Sequence, residues 1–542
     1  MKLPQLIVGA LVVLHVCLAI LWIQHQELPM GTRDEFFLVA EAVEIAWQLE
    51  TVPLSQLHVY PLLVMKAYYP PLCRLPGVGA LLLGGDYDAM VAAQWFWLVF
   101  LVGGTWFVAR KVAGPWAGVL AVGLLLAAPA TLDSLHRYEP NLGAMACGAC
   151  VLAAWLYSRD LQSRRASILL GLFVGLGLMA DRLGVLPFLI GPLLVSVART
   201  RTRQSLQGLL LVVVGASAVA GWWYLDFFAR FAQELVPQLL SGEISAVGTH
   251  LEDRPPGLFQ WLHYLVLWPD TQLGLLGGCA ALAGLGWAIH SRKDPAVRDV
   301  LLWLVWGLLL FTLIPKRQPF YTLPLLPAAV TVAAAALCSM ARRLGRAGPA
   351  LPIAVVLGAT VPAVVTTQPE IPDYNPGLLD WLVNNRSPLP EQWMGERFNI
   401  GVQPQDMGLD LDKNFQLLAR AGVKADDLIL VFADDGMVNE SSLWSFGRIA
   451  RGTDQVLGVT LDPQAILERG QNAAALIFVH QLPVPWPESE RLVAAHERFF
   501  GFDEDYRPLV AQIERLRVGA RHLETRRLTT ESNVSTWLLG GR

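Results

Sequence analysis

The chain has 542 residues, of which 54% are hydrophobic and only 16% are charged, and its net charge is −4. An ordinary soluble protein carries about 25% charged residues, so a chain built only of soluble domains is excluded. The small net charge gives no indication of a nucleic-acid partner. The missing charge is concentrated in residues 3–369, whereas residues 370–542 have the composition of a normal globular domain and contain no cysteine, which excludes a disulfide framework there.

Eleven charge-free runs follow one another in the first part of the chain. A helix needs about 20 apolar residues to cross a hydrocarbon core of about 30 Å. Lipid offers no hydrogen bonds to the backbone, so the runs must be helical. The first run has a single Lys2 and no clear cleavage site, and we interpret it as an uncleaved span. The runs are 3–26, 89–109, 112–132, 140–158, 166–180, 183–198, 204–225, 271–291, 300–315, 318–341 and 347–369.

Basic residues alternate between the loops and predict the orientation. One set of loops is rich in arginine and lysine, and the positive-inside rule places this set in the cytoplasm. The long segment 27–88, the loop 226–270 and the C-terminal domain then lie outside the cell membrane. The basic set comprises Arg110, Lys111, Arg159, Arg164, Arg165, Arg199, Arg201, Arg203, Arg292, Lys293, Arg298, Arg342, Arg343 and Arg346.

The runs 166–180 and 183–198 are short and allow two interpretations. A single long helix would bury Asp181 and Arg182 and reverse the topology of everything that follows. Two short helices that meet at an outer turn keep the later basic loops inside. The positive-inside pattern therefore favours two helices.

The charges left on the outer side combine carboxylates with cations. A single loop charge beside a span is usually just solvated at the interface, but ionisable groups at membrane depth commonly mark function. A phosphate needs Lys or Arg, and a proton-accepting step needs a carboxylate. The outer set is Asp34, Glu35, Lys66, Arg74, Arg137, Glu139, Asp181, Arg182, Lys316 and Arg317.

The first outer segment carries the most informative pattern. Asp34 and Glu35 precede an amphipathic helix that extends to about Leu49, whose apolar positions suit a helix lying in the interface plane. Two readings of the acidic pair stay open. The carboxylates either carry chemistry or simply complement the positive end of the helix dipole. The apolar positions are Phe36, Phe37, Val39, Ala40, Val43, Ile45 and Ala46.

Residues 370–542 predict a separate soluble α/β domain. Strand-like runs at 428–432, 476–479 and 534–539 alternate with helical patterns at 377–385 and 488–500. Asp434-Asp435-Gly436 follows the first strand, and we interpret it as a turn rather than a metal-binding loop. Location alone suggests that this domain binds the acceptor or covers the active site.

The outer motifs resemble those of GT-C glycosyltransferases. The most similar group contains the protein O-mannosyltransferases and the lipid A aminoarabinose transferase. The resemblance covers residues 1–369 and predicts a polytopic α-helical membrane protein of about eleven transmembrane helices, GT-C-like, with a C-terminal soluble α/β domain. The matching segments are Asp34-Glu35, Tyr69-Pro70-Pro71-Leu72, Arg137-Tyr138-Glu139-Pro140 and Lys316-Arg317-Gln318-Pro319-Phe320-Tyr321-Thr322-Leu323-Pro324.

The resemblance implies an inverting transfer of a sugar from a polyprenyl-phosphate donor on the outer face. Asp34 would be the base, Glu35 would assist it, and Glu139 would occupy the position of the family's second acidic residue. Lys316 falls near a phosphate-contacting position, with Arg317, Arg137 and Lys66 as further candidates. Tyr69 stands where the aminoarabinose transferase has a lysine, and Lys66 lies three residues earlier. A divalent metal ion bridging carboxylate and phosphate, held by Asp34 and Glu35, stays open.

Two rival functions remain. A transporter or flippase of a lipid-linked saccharide is one, but such proteins often show internal repeats and midplane polar groups, which this sequence lacks. A membrane scaffold whose tail binds a partner is the other, and it would not require acidic and basic residues on one face. The expected partners are the polyprenyl-phosphate sugar, membrane lipid and a glycan, lipid or protein acceptor. The sequence does not specify the sugar, the lipid carrier or the acceptor.

Overall fold

The structure is a computed structural model of the whole chain. In the helical part it describes residues 3–25, 70–181, 184–241, 259–313 and 319–365, together with isolated positions between 35 and 49. In the C-terminal part it describes residues 417–424, 427–434, 456–458, 473–481, 520–527 and 532–539.

Two compact units divide the chain. The first, called the helical unit, comprises Met1–His25, Pro61–Cys73 and Ala92–Pro404. The second, called the sheet unit, comprises Gln26–Tyr60, Arg74–Val91 and Gln405–Arg542. The predicted domain boundary between residues 369 and 370 falls outside the described residues and stays a prediction.

Fifteen α-helices have their bounds among the described residues, and further helical positions occur between 35 and 49 and at 417–420. Three short irregular segments matter below: a 3-10 turn at Pro71–Cys73, a π-helical turn at Trp268–Gln272 and a 3-10 segment at Pro319–Leu325. The helices are α1 Leu3–His25, α2 Leu75–Leu82, α3 Tyr87–Ala93, α4 Trp97–Ala113, α5 Pro115–Leu126, α6 Pro129–His136, α7 Asn141–Ser158, α8 Arg164–Ala180, α9 Leu186–Thr200, α10 Arg203–Ser241, α11 Phe259–Leu267, α12 Gly274–His290, α13 Pro295–Leu313, α14 Leu326–Arg343 and α15 Ala350–Val365.

Each of the eleven predicted runs contains helix, and the protein is a multi-pass membrane protein. Seven helical stretches in the described chain are long and apolar enough to cross a membrane, or eight if a bent pair counts as one span. Three further helices are shorter, because α8 has 17 residues, α9 has 15 and α12 has 17. The exact number of spans therefore depends on how these short helices sit in the bilayer.

The run 112–132 is not one straight helix, contrary to the sequence prediction. It divides into α5 and α6, which are bent by 59°. Pro129 is the cause, since proline disfavours a helical conformation in the residue before it, and Ala128 is extended at φ −65° and ψ 129°. Arg137 is the residue that directly follows α6.

The runs 166–180 and 183–198 form two separate helices, as predicted. The first, α8, ends at Ala180 because Asp181 is extended at φ −155° and ψ 146°. The chain then turns at Gly184, whose φ of +42° is in the left-handed region that favours glycine. Asp181 therefore lies at the break and not inside a continuous helix.

The loops of the basic set meet at one end of the helical unit. Arg199, which ends α9, forms ion pairs with Asp160 at 3.6 Å and with Asp299 at 2.7 Å. The Lys111 ammonium, near the end of α4, donates to the carbonyl of Leu156 near the end of α7. The alternation in sequence thus corresponds to a common end of the bundle. Its cytoplasmic location is the prediction of the positive-inside rule.

The C-terminal part contains a five-stranded sheet of order β2-β1-β3-β5-β4. Strands β2 and β3 flank β1 in parallel, and β5 pairs antiparallel with both β3 and β4. The predicted strands at 428–432, 476–479 and 534–539 correspond to β1, β3 and β5. The predicted helices at 377–385 and 488–500 lie outside the described residues, as does the turn after Asp434. The strands are β1 Ile429–Asp434, β2 Val456–Gly458, β3 Ala475–Gln481, β4 Arg521–Arg527 and β5 Ser532–Leu538.

Candidate functional site

Glu35 of the sheet unit is wholly buried. The phenol of Tyr87, at the start of α3, donates a hydrogen bond to its Oε1 atom. The carboxylate is therefore held in a fixed place. Asp34, the predicted base, lies outside the described residues, so the structure locates only the second member of the acidic pair.

The segment after Glu35 is helical at its described positions, as predicted. Val39 is fully buried, and Val43 and Ile45 are less than a tenth exposed. The placement of this helix in the interface plane stays a prediction, because Phe36 and Phe37 of its apolar face lie outside the described residues. The amphipathic pattern has the period of any helix that buries one face, whether the partner is lipid or protein.

Arg74 is a buried cation of the predicted outer set. Its Nε atom lies 3.5 Å from the Glu41 carboxylate, and its side chain is only 1% exposed. A buried charge requires a partner, and Glu41 supplies one within the same unit. The pair links the acidic segment to the start of α2.

In the helical unit, Arg137 directly follows α6 and pairs with Asp133 of that helix. The Arg137 Nε atom lies 3.0 Å from Asp133 Oδ1, and both side chains are largely buried. The spacing of four residues places both groups on one face of α6. Arg137 is therefore a largely buried cation with a counter-ion on the preceding helix.

Glu139 lies two residues after Arg137 and two residues before the start of α7 at Asn141. It is buried, and the Asn141 amide donates to its Oε2 atom at 2.6 Å. A carboxylate near the start of a helix is also stabilised by the helix dipole. Glu139 is thus a preorganised carboxylate at the end of the bundle opposite the basic loops.

The end of α1 packs against α6. The Trp22 and His136 rings stack with their centroids 4.1 Å apart and their planes 3° apart. Leu18 packs in a small cluster with Leu132, which strengthens the contact. The first span is thereby attached to the helix that carries Asp133 and leads to Arg137.

The Pro-Pro-Leu motif packs on the end of α8 that precedes Asp181. Both the backbone N–H and the Sγ–H of Cys73 donate to the Pro70 carbonyl, at 3.3 Å and 2.7 Å, which closes the 3-10 turn. Leu72 packs on a cluster that contains Met179 and Trp223. The motif is therefore adjacent to the break at Asp181. Tyr69 and Lys66 lie outside the described residues.

The Tyr-Leu-Pro stretch forms the 3-10 segment Pro319–Leu325, which packs on α7 and α13. The centroid of the Tyr321 ring lies 5.7 Å from that of the Phe311 ring and 5.1 Å from that of the Phe320 ring. Phe311 belongs to α13, so the segment is fixed to the helix that precedes it. Lys316 and Arg317 fall in residues 314–318, outside the described residues.

Sequence reasoning missed the π-helical turn Trp268–Gln272. Asp270 and Gln272 are wholly buried and Thr271 nearly so. The Gln272 amide donates to Thr322 Oγ1 at 2.8 Å. The sequence does contain an indication of this turn, because the carboxylate Asp270 stands directly before the charge-free run 271–291. It was overlooked because Asp270 was assigned to the outer loop 226–270. Asp133 was missed likewise, although its spacing of four from Arg137 predicts a helical ion pair.

Several acidic and polar groups therefore gather at one end of the helical unit. The π-turn packs against α6, and the 3-10 segment packs against α7. Of the predicted site residues, the structure places Arg137 and Glu139 here and Glu35 in the sheet unit. Among the described residues, no group of three or more His, Cys, Asp or Glu side chains is arranged to hold a metal ion. The predicted metal at Asp34 and Glu35 stays a prediction, because Asp34 is not among them.

Comparison with known proteins gives matches only at the level of three-dimensional structure. No protein-family model matches the chain, and neither does a curated protein sequence. ArnT from Cupriavidus metallidurans in the apo state superposes with a TM-score of 0.56 at 15% identity, covering 97% of this chain and 98% of ArnT. The same protein bound to undecaprenyl phosphate gives the same TM-score and identity, over 97% of each chain.

A second neighbour is the arabinofuranosyltransferase AftD from Mycobacteria. It superposes with a TM-score of 0.50 at 14% identity, covering 100% of this chain and 40% of AftD. At these identities the likeness concerns the fold. The chain is similar to ArnT over nearly its full length, which confirms the predicted membrane fold of the GT-C type.

Proposed function

We propose that the protein is a membrane glycosyltransferase that transfers a sugar from a polyprenyl-phosphate donor to an acceptor on the outer face of the membrane. The observation that carries this proposal is the fold shared with ArnT, a protein solved in complex with undecaprenyl phosphate. Support comes from the order of the motifs, since acidic, Pro-Pro-Leu and Tyr-Leu-Pro segments all flank spans on one predicted side.

The proposed chemistry needs a base and cations. The acceptor hydroxyl loses its proton to Asp34 while its oxygen bonds to the anomeric carbon, and the carbon–oxygen bond to the phosphate breaks. Attack from the face opposite the phosphate inverts the anomeric carbon. Negative charge then develops on the phosphate oxygen, where Lys or Arg stabilises it. A positioned carboxylate base contributes typically about 10²–10⁴-fold to such a transfer.

The remaining carboxylates have supporting roles in this proposal. Glu35 is buried and accepts a hydrogen bond from Tyr87, which suits a group that orients the neighbouring Asp34. Glu139 is buried and held by Asn141, which suits a fixed negative charge in the helical unit. A carboxylate near the reacting sugar favours the positive charge that forms as the donor bond breaks.

The donor phosphate is assigned to the cations of the outer side. Lys316 and Arg317 are the first candidates, because they are adjacent and directly precede the Tyr-Leu-Pro stretch. Arg137 and Lys66 are further candidates. Arginine suits this role because its planar guanidinium binds two oxygens at once.

The lipid tail of the donor explains the location of the site. A polyprenyl chain stays in the hydrocarbon while its phosphate lies at the membrane edge, so the reactive groups belong at the outer ends of the spans. The C-terminal α/β domain, which we place outside the membrane, would then bind the acceptor or cover the reacting centre.

The decisive experiment is transfer by purified protein from labelled polyprenyl-phosphate sugars. The wild type is compared with Asp34→Asn, with and without a chelator, in the presence of candidate glycan, lipid and protein acceptors. Formation of a glycosylated product only by the wild type is the expected result. Movement of intact lipid-linked sugar across vesicles without product would indicate a flippase and overturn the proposal.

A further inference from the structure

Two helix starts are bonded to each other at the basic end of the helical unit. Gln204, the second residue of α10, donates through Nε2 to the carbonyl of Gln162 at 2.8 Å, and the Ser205 hydroxyl donates to the carbonyl of Asp160 at 3.0 Å. Both carbonyls belong to the turn that precedes α8, which begins at Arg164. The first turns of α8 and α10 are therefore neighbours in space.

The two helices remain in contact beyond their first turns. A Cβ atom on Gly171 of α8 would lie 2.5 Å from the carbonyl oxygen of Val212 in α10. A Cβ atom on Gly175 would lie 3.0 Å from the carbonyl oxygen of Ala216. Because the backbones approach this closely, a single lipid molecule can contact both helices.

Each helix has an arginine at its start and an exposed apolar stripe on the same face. Residues three, four and seven positions apart share one face of a helix. Exposed apolar side chains occur at these spacings after both arginines, so in a multi-pass membrane protein they contact acyl chains. The stripes are Ile168, Leu169 and Leu172 after Arg165 in α8, and Leu206, Leu210, Val213 and Val214 after Arg203 in α10.

The arginines at these helix starts do not stabilise the helices. Arg164, Arg165 and Arg203, here called the first-turn arginines, are all exposed, and neither first turn contains an acidic residue. The positive end of the helix dipole lies there, so a cation in the first turn is unfavourable. Arg342 and Arg343 differ, because they lie in the last turn of α14, where the dipole favours them. The first-turn arginines therefore require an anion from another source.

The carboxylates at this end of the unit are engaged elsewhere. Asp160 lies 3.6 Å from Arg199, and Asp299 lies 2.7 Å from Arg199 and 3.2 Å from Arg298. Asp294 accepts from backbone N–H groups at the start of α13. Among the described residues, no carboxylate forms an ion pair with a first-turn arginine. The exposed positive charge is thus left for an anion outside the protein.

We propose that the starts of α8 and α10 form a docking surface for an anionic phospholipid. Its phosphate contacts the first-turn arginines, and its acyl chains lie on the two apolar stripes. Guanidinium groups suit this contact, because each can bind two phosphate oxygens. The positive-inside rule predicts that this end faces the cytoplasm, and the cytoplasmic leaflet carries anionic lipids. The inference does not depend on the proposed function, since Glu139 lies at the other end of the helical unit.

Three variants and one matched control test the docking surface. Arg165→Gln, Arg203→Gln and the double variant remove positive charge and retain polar side chains. The control is the double variant Arg342→Gln with Arg343→Gln, which removes two exposed cations from the same set of basic loops. The full-length protein is purified in detergent and titrated with phosphatidylglycerol, phosphatidylcholine and inorganic phosphate. Native mass spectrometry measures bound lipid, and the thermal midpoint is recorded with and without each addition.

Phosphatidylglycerol should bind the wild type more tightly than phosphatidylcholine and should raise its thermal midpoint. Each single variant should bind phosphatidylglycerol about 5-fold more weakly, which is the contribution of one cation facing anionic lipid. The double variant should lose about 25-fold if the two contributions add. Binding of phosphatidylcholine and both lipid affinities of the control should not change. Without lipid, the double variant should be at least as stable as the wild type, because the helix dipole disfavours both cations.

Three results would overturn the inference. The first is equal affinity of the wild type for the two lipids, or an unchanged affinity of the double variant for phosphatidylglycerol. The second is an equal loss in the control, which would mean that any exposed cation of the basic loops serves as well. The third is a gain in thermal midpoint from inorganic phosphate as large as that from phosphatidylglycerol, which would indicate an anion site without a role for acyl chains. A lipid-free double variant that is less stable than the wild type would assign the arginines to the fold and count against the docking surface too.

Discussion

Tyr87 and Glu35 lie 52 positions apart in sequence, and the Tyr87 hydroxyl donates a hydrogen bond to the buried Glu35 carboxylate. The contact fixes the residue beside the proposed base through a helix that begins far along the chain. The two carboxylates of the acidic pair thus have different roles in the proposal. The Tyr87 phenol holds Glu35, and Asp34 is proposed to contact the acceptor.

Replacing Tyr87 should reveal what Glu35 does. Tyr87→Phe removes the donor and leaves the buried carboxylate without it, which should reduce stability by about 1.5–3 kcal/mol, as for a hydrogen bond to a charged group. Glu35→Gln can still accept from Tyr87, so we expect a smaller loss of stability and partial transfer activity. Thermal midpoints and transfer rates of the two purified variants provide the comparison. A Glu35→Gln enzyme without any activity, at normal stability, would make Glu35 the base.

Asp34→Asn preserves size but removes the proton acceptor. We expect a loss of transfer of at least about 10²-fold with normal insertion and folding, because general base catalysis contributes that much or more. The rate under single-turnover conditions is the appropriate measurement. If Asp34→Asn and Glu35→Gln are both fully active, the catalytic roles taken from the family resemblance are wrong.

Lys316→Ala and Arg317→Ala should each weaken donor binding by about 1–3 kcal/mol if the phosphate is their partner, as for charged hydrogen bonds. If a carboxylate such as Glu139 is the partner instead, the variants should mainly lose stability. Donor concentration dependence and thermal midpoint are measured on the same preparations. Lys293→Ala is a suitable control, because Lys293 is an exposed cation of the basic loop set. Unchanged donor dependence in both variants would exclude the phosphate role.

The Asp133–Arg137 pair should matter more for stability than a pair at the basic end. Both of its side chains are nearly inaccessible, and breaking a buried ion pair typically costs about 3–5 kcal/mol. The pair of Arg199 with Asp299 is partly exposed, and exposed pairs contribute about 0–1 kcal/mol. We therefore expect Asp133→Asn to lower the thermal midpoint more than Asp299→Asn does. The reverse order would mean that Arg137 takes its main counter-charge from elsewhere.

Topology is tested by reporter fusions. With eleven spans, a fusion at Arg201 should report the cytoplasm and a fusion at Pro376 the outside, because basic loops remain inside. Both reporters on the same side would exclude the eleven-span topology.

Composition and periodicity were sufficient to locate helix in each of the eleven apolar runs, since lipid forces any long apolar run to satisfy its own backbone. They did not predict α2 and α11, which lie in the segments 27–88 and 226–270 that were assigned to outer loops. They also located β1 and β3, whose central residues form continuous apolar runs, and β5, in which Val534, Trp537 and Leu538 are mixed with polar residues. Strand β4 was not predicted, because an edge strand can be polar and still pair through its backbone. Its sequence is Arg-His-Leu-Glu-Thr-Arg-Arg. Strand β2 has only three residues, too few for any pattern.

The candidate site was predictable only in part. Motif order identified Glu139 and the Tyr-Leu-Pro segment, because these features are contiguous in sequence. The Gln272–Thr322 bond and the burial of Asp270 were not predictable, since they depend on two loops that meet through the packing of α12 and α14. The interface-plane helix stays a prediction for a related reason, because an apolar face does not specify what will cover it.

The shortness of α9 has a consequence for the surrounding lipid. Its 15 residues rise about 22 Å at 1.5 Å per residue, well below a hydrocarbon thickness of about 30 Å. Ile190 and Leu194 are exposed on its surface, so this helix faces acyl chains and not only protein. The bilayer must become thinner beside α9 or the helix ends must be hydrated, and thinning costs fractions of a kcal/mol per Å. A phosphate headgroup beside such a thinned region lies closer to the bilayer midplane than elsewhere. The thickness of the surrounding bilayer therefore influences how readily a lipid-linked sugar reaches the protein.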